Sequence, residues 1–251
     1  SAYDGARLRH LLDMQVASGF SENYTDTDGI FMAYRRAAAW NPVEEGVETI
    51  GLRHFLTQMP KSDTAQHGRM HHYCSPHSDV LGWVIERAGN ASFAKQFSEH
   101  ILAPCGGSHT GYITLDTYGA PRVSGGMCLS LYDLLLIGEM VRNRGHINKL
   151  QVVPSAWIDD ITAVRDNSIW RAQHNADGPR LFINGNYRSL WYQSGIADQE
   201  ICGIGIHGQW LWINPQKELV IAKLASHDSE VDTATDRVML AAFRAIAEAL
   251  N

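Results

Sequence analysis

The chain has 251 residues, of which 45% are hydrophobic and 19% charged, with a formal net charge of −6. That length can bury one large core or two intimately packed ones, and an acidic balance without a dense Lys/Arg run argues against a nucleic-acid-binding surface. The longest apolar stretches fall far short of a membrane span, so neither nucleic acid nor membrane is an expected partner.

Residues 1–10 contain Arg7, Arg9 and His10 but no apolar run of the kind a secretory leader needs. The compartment, cytoplasmic or periplasmic, stays open at this point. Residues 6–14 read as a short amphipathic helix broken at Ser18-Gly19. Ser21-Glu22-Asn23-Tyr24 and the following Thr25-Asp26-Thr27-Asp28-Gly29 read as a polar loop with Asx and Ser/Thr turns. Ile30 to Trp40 reads as a helix ended by Asn41-Pro42, since the residue before proline leaves the helical region. A further short helix is expected over 50–58. Its Leu-Arg-His-x-Leu echoes residues 8–12 but is too short for a repeat.

Residues 60–79 read as loop. A helix over 80–88 follows, with Val80, Leu81, Val84, Ile85 and Ala88 at helical spacing and Gly89 at its end. Another is expected at about 91–102, then irregular chain or short strands over 105–124. Met127 to Arg144 reads as an amphipathic helix closed by Gly145, and Pro154-Ser155-Ala156-Trp157 opens one more. From about 181 the chain turns strand-like: Tyr187 to Gln193, Gly208 to Asn214 and Glu218 to Ala225, the last two joined by the turn Asn214-Pro215-Gln216-Lys217. Thr233 to Leu250 closes as a helix with Met239, Phe243, Ile246 and Leu250 on one stripe. Helices first and strands later predict an α+β fold: a mainly helical region over 1–180, then an antiparallel sheet backed by a C-terminal helix over 181–251, the two packed as one unit.

Two local features carry chemistry. Tyr73 stands ahead of a helix with a hydroxyl residue, Ser75, two positions on; a tyrosine held on a rigid loop is suited to move a proton. Around it, His67, His71, His72, Cys74 and His77 offer imidazole and thiol groups, but their spacing follows no established zinc pattern and no metal is expected. The four cysteines, Cys74, Cys105, Cys128 and Cys202, are scattered and read as free thiols. Trp83, Trp157 and Trp191 read as core or cleft wall.

The order of these stretches resembles the penicillin-recognising serine hydrolases: class C β-lactamases, related esterases, D-alanyl-carboxypeptidases and, most closely, the 6-aminohexanoate-dimer hydrolases. The resemblance rests on Arg9-His10-Leu11-Leu12-Asp13-Met14 with Ser18-Gly19, on Phe20-Ser21-Glu22-Asn23-Tyr24, and on Tyr73-Cys74-Ser75 with Leu81-Gly82-x-x-Ile85-Glu86. It continues through Ser124-Gly125-Gly126-Met127-Cys128 with Asp133, Val153-Pro154-x-x-Trp157, and Gly205-Ile206-His207-Gly208-Gln209 with Asn214-Pro215.

The family's reaction is acyl transfer: a serine attacks a carbonyl, a lysine one helical turn away manages its proton, a tyrosine relays that proton, and two backbone N–H groups hold the oxyanion. The resemblance implies Tyr73 as the catalytic relay. It implies Tyr24, Ser75, His207, Gly208 and Gln209 as substrate-binding residues, with backbone N–H groups near Gln209 and Trp210 giving half of the oxyanion hole. Ser75 replaces the family's asparagine and reads equally as a cap for a helix starting near Ser78.

No cofactor is expected. The substrate implied is a small amide, ester or lactam. The one Ser-x-x-Lys, Ser92 to Lys95, follows the tyrosine instead of preceding it and is rejected as nucleophile. The expectation is therefore a serine hydrolase whose nucleophile lies upstream of residue 1, on a further segment or a partner chain. That segment would also cover an otherwise exposed apolar sheet edge. The alternative is a non-catalytic β-lactamase-like module that binds a ligand or partner.

Overall fold

The structure is a computed structural model and describes residues 1–42, 46, 48–174, 181–196 and 199–250. Backbone contacts divide it into two compact units, Ser1–Phe97 with Gly111–Cys128, and Ser98–Thr110 with Leu129–Asn251. Of the boundary expected between residues 180 and 181, residue 180 lies outside the described residues.

The first unit is helical. It holds α1 (Leu8–Leu12), α2 (Ile30–Ala37), α3 (Leu52–Thr57), α4 (Ser75–Gly89) and α5 (Phe93–Phe97), with a two-stranded ladder of β1 (Tyr112–Ile113) and β2 (Met127–Cys128). Its core is aromatic: Phe20, Phe31, Tyr34 and Phe55 meet edge-to-face or tilted, with Leu52, Leu56, Met59 and Cys74 packed among them. Such geometry lets ring edges meet ring faces.

Helix α4 begins at Ser75 with Pro76 in its first turn. The loop expected to run to residue 79 therefore ends five residues earlier. Proline there gives up only an N–H that has no helical partner. Asn90, in the left-handed conformation at φ 49°, ends the helix.

The second unit opens with a π-helical turn, Ser98–Leu102. Next come α6 (Leu131–Arg142), the hairpin β3 (His146–Ile147) and β4 (Leu150–Gln151), α7 (Ser155–Thr162) and α8 (Ser168–His174). A five-stranded antiparallel sheet follows in order β5 (Asn186–Arg188), β6 (Trp191–Gln193), β7 (Ile201–Gly205), β8 (Gln209–Asn214), β9 (Leu219–Lys223), and α9 (Thr233–Ala249) ends the chain.

Strand β8 explains the layering. Its alternate residues Trp210 and Trp212 meet Phe243 of α9, while Leu211 and Ile213 join the cluster containing Met140 and Val141 of α6. The sheet is thus covered on both faces, and β8 reads as the unbroken apolar run such burial demands. A Cβ on Gly138 would lie 2.5 Å from Val220, so the missing side chain is what lets α6 lie close against the sheet.

Three further expectations change. Met127 and Cys128 pair with Ile113 and Tyr112, and α6 starts only after Ser130. The Ser130 hydroxyl accepts the Asp133 N–H at 3.0 Å and donates to the Asp133 carboxylate at 2.8 Å, which fixes the helix start. The single strand expected over Tyr187 to Gln193 is a hairpin. Ser189 and Leu190 both have positive φ, the two-residue turn whose twist suits paired strands. In α9 the buried stripe is Leu240, Phe243 and Ala247, whereas Ile246 and Leu250 are exposed.

Candidate active site

The start of α4 is built by a residue distant in sequence. Cys74 precedes the helix in extended conformation and its thiol makes no cap. The cap comes from Glu22. One carboxylate oxygen accepts the Ser75 N–H at 2.7 Å; the other accepts the Ser75 hydroxyl at 2.7 Å and the Tyr24 hydroxyl at 2.8 Å. The first N–H groups of a helix lack helical partners and carry partial positive charge, so a carboxylate is held there by both effects.

One turn on, buried Asp79 braces the helix, accepting the Tyr34 hydroxyl at 2.6 Å and the Ser124 N–H at 2.9 Å. Burial pushes the Asp79 carboxyl up to about 6 despite these bonds. Ser75 is the first residue of the helix and does not act as its cap.

Glu22 gathers Tyr24 and Ser75 beside Tyr73. Burial raises the Tyr73 phenol pKa, and the Glu22 charge raises it further; its hydrogen bond with Ser75 works the other way. Tyr24 is raised by burial and then by Glu22. Both phenols are therefore protonated at neutral pH. The cluster presents two phenol protons and a serine hydroxyl around one carboxylate. As a proton relay, Tyr73 would need a nearby cation to offset Glu22 before it could accept a proton.

The histidines near Tyr73 have other duties. His67 Nδ1 accepts the Ala17 N–H at 3.0 Å, and the His72 ring is hydrogen-bonded to the Phe20 backbone. His77 is wholly buried with its Nδ1 3.3 Å from the Tyr3 hydroxyl, and burial pushes its pKa down to about 3. Among the described residues no group of three or more His, Cys, Asp or Glu is placed to hold a metal ion. The four cysteines are free thiols, with Cys74, Cys105 and Cys202 buried.

The second group of predicted residues lies in the other unit, on the turn between β7 and β8. His207 is half-buried in left-handed conformation, φ 59° and ψ 22°, and Gly208 follows at φ 84°. The Gln209 side chain is engaged with backbone: its amide donates to the Ala225 carbonyl and its oxygen accepts the Ala225 N–H at 3.1 Å. Trp210 lies between Ile204 of β7 and Lys223 of β9 in the ladder. Of the two amides proposed for an oxyanion hole, the one at Gln209, at the strand's end, is the one not enclosed between two strands.

Ser92 caps α5. Its hydroxyl oxygen accepts the Lys95 N–H at 3.3 Å, a helix-start role that accounts for a serine three residues ahead of Lys95. Glu22, by contrast, was visible in the sequence only as one acid in a polar loop. The acid-x-aromatic spacing of Glu22 and Tyr24 was the available signal, but its partner Ser75 lies 53 residues away.

The comparisons agree with this architecture. A family model described as Beta-lactamase matches residues 1–245. A 6-aminohexanoate-dimer hydrolase of Paenarthrobacter ureafaciens is 28% identical over 226 residues, which is 90% of this chain and 56% of that protein. Among solved structures, a Bacillus anthracis protein assigned to the 6-aminohexanoate-dimer hydrolases superposes with a TM-score of 0.84 at 21% identity, covering 100% of this chain and 63% of that one. An octameric penicillin-binding protein homologue from Pyrococcus abyssi gives a TM-score of 0.63 at 16% identity, covering 95% and 57%. The chain thus spans less than two thirds of the length of each of these relatives. With the family matched over residues 1–245, in a helical unit and an antiparallel sheet of the β-lactamase-like kind, the chain belongs to the Beta-lactamase family of hydrolases.

Proposed function

We propose that this chain carries the relay and substrate-side groups of a serine hydrolase acting by acyl transfer on a small amide, ester or lactam, with its nucleophile on a segment or partner outside residues 1–251. The observation that supports this reading most directly is the Glu22 cluster, which sets Tyr73, Tyr24 and Ser75 together at the start of a braced helix. Tyr73 is the relay. A serine-associated lysine would bring the positive charge that offsets Glu22 and lowers the phenol into a range where it can take and return a proton. Tyr24 and Ser75 face the leaving-group side. His207, Gly208 and Gln209, on the turn of the sheet unit, are the further substrate-side residues of this reading. The likeness to 6-aminohexanoate-dimer hydrolases favours a linear amide among these substrates.

The engagement of Ser92 as a helix cap favours placing the nucleophile elsewhere. Intact-mass spectrometry after incubation with an activated ester, a β-lactam and a boronate tests it. Residues 1–251 alone should acquire no covalent adduct. An adduct mapped to Ser92 would overturn this part of the reading.

A further inference from the structure

His207 occupies a backbone conformation that non-glycine residues rarely adopt, and such strain persists only where surrounding structure over-determines it. The over-determination is visible, and most of it comes from one residue. The His207 N–H donates to the Glu230 carbonyl at 3.0 Å, and the His227 N–H donates to the His207 carbonyl at 3.1 Å. His207 Nδ1 lies 2.8 Å from the His227 carbonyl oxygen. The His227 ring lies over Gly208, where a Cβ would fall 2.5 Å from it. Lys223 closes the circle: its ammonium donates to the Gly208 carbonyl at 2.8 Å and lies 3.3 Å from His227 Nε2.

These contacts fix protons as well as backbone. A carbonyl oxygen only accepts, so His207 Nδ1 must carry the hydrogen. In the neutral ring Nε2 is then a bare acceptor. It has no protein partner among the described residues and is not among the buried unpaired atoms.

We propose that Lys223 and His227 are positioning residues that hold the His207-Gly208 turn in its left-handed form and lock His207 as the Nδ1–H tautomer, presenting Nε2 as an acceptor for an N–H or O–H donor of the ligand. This rests on the reading of His207 as a substrate-side residue and sharpens it. A neutral His207 of this tautomer cannot donate to an anion; it selects a ligand bearing a hydrogen-bond donor, such as the N–H of a linear amide.

The test uses the full chain with labelled nitrogen and needs no turnover, so it stands apart from the acyl-transfer reading. Imidazole nitrogen resonances at about pH 9, where histidines are neutral, report the tautomer directly. Wild-type His207 should show a protonated Nδ1 and a bare Nε2. A Lys223→Met/His227→Ala double variant keeps the His227 carbonyl but removes the side chains that brace the turn presenting Nδ1 to it, so the turn should loosen and the tautomer relax to a mixture. The His207 N–H should also exchange about tenfold faster relative to the Trp212 N–H, which reports the interior of β8. Rescue by restoring His227 alone should return most of the tautomer preference. A wild-type His207 protonated at Nε2, or a double variant with unchanged tautomer and unchanged relative exchange, would overturn the proposal. Failure of the acyl-transfer reading would instead appear as the absence of turnover in a chain whose His207 has the expected tautomer.

Discussion

Replacing Glu22 by glutamine separates its charge from its shape. The carboxylate accepts three hydrogen bonds within 2.8 Å, from the Ser75 N–H, the Ser75 hydroxyl and the Tyr24 hydroxyl. A carboxamide has one acceptor oxygen and turns an N–H₂ toward the rest. On that oxygen it can keep either the two hydroxyl contacts or the Ser75 N–H contact, and it must lose or invert the rest. Hydrogen bonds to charged groups contribute about 1.5–3 kcal/mol each, but both hydroxyls are half-buried and can turn toward water. A net loss of about 2 kcal/mol follows, or roughly 4–8 °C in Tm at this chain length.

Glu22→Ala should cost more, because it also leaves the first amide of α4 unpaired. Loss of the charge should lower the Tyr73 pKa as well, since Glu22 raises it next after burial. Thermal or urea unfolding of both variants measures the first effect. Phenolate absorbance, compared between Glu22→Gln and Glu22→Gln/Tyr73→Phe, isolates the second. Unchanged stability in both single variants, together with an unmoved Tyr73 titration, would refute the assignment of Glu22 as the residue that caps α4 and sets the tyrosine.

Further outcomes follow from other sites. His77 is held neutral by burial with its pKa near 3, so its contribution to stability is complete above its ordinary 6.5 and is lost as pH falls below that. Between about pH 7.5 and about pH 5 the loss is roughly 2 kcal/mol. His77→Gln should remove it, leaving the opposite slope of Asp79, whose raised carboxyl stabilises the fold as pH falls through about 6; unfolding across that range should show the two profiles diverging. Arg244 donates from Nε and Nη2 to the two oxygens of the fully buried Glu200 carboxylate, at 3.0 and 2.8 Å. Arg244→Met should therefore cost about 3 kcal/mol by stranding that charge, with partial recovery in Glu200→Gln/Arg244→Met, as read by urea denaturation. Ser92→Ala should remove only a cap, changing stability by about 1 kcal/mol and leaving ligand binding unaltered by calorimetry.

Much of this was legible in sequence because local pattern and tertiary role coincide. Trp210 to Ile213 is an unbroken apolar run between polar Gln209 and Asn214, so β8 announces itself, and the turn after it is marked by Asn214-Pro215. Strand β7 was hidden because Gly203 and Gly205 dilute its pattern. The hairpin at Ser189-Leu190 was hidden because neither residue is a usual turn former, although both adopt positive φ. The start of α4 is masked for a different reason: His77, Ser78 and Asp79 look like loop residues, yet His77 and Asp79 are buried and Asp79 is bonded across the unit. Tyr73 and His207 could be picked out through the family's order of motifs. Glu22 and His227 could not, since each acts through a residue far away in the chain or through backbone atoms that no residue type advertises.

The most direct measurement supplies residues 1–251 with a Ser-x-x-Lys helix, joined upstream or added as a partner chain, and compares turnover of a linear amide with and without Tyr73→Phe. Loss of a proton relay typically costs about 10²–10⁴ in rate. A fall of that size with an unchanged melting temperature is the predicted result. Turnover that survives the substitution intact would remove Tyr73 from the chemistry and contradict the proposal built on it.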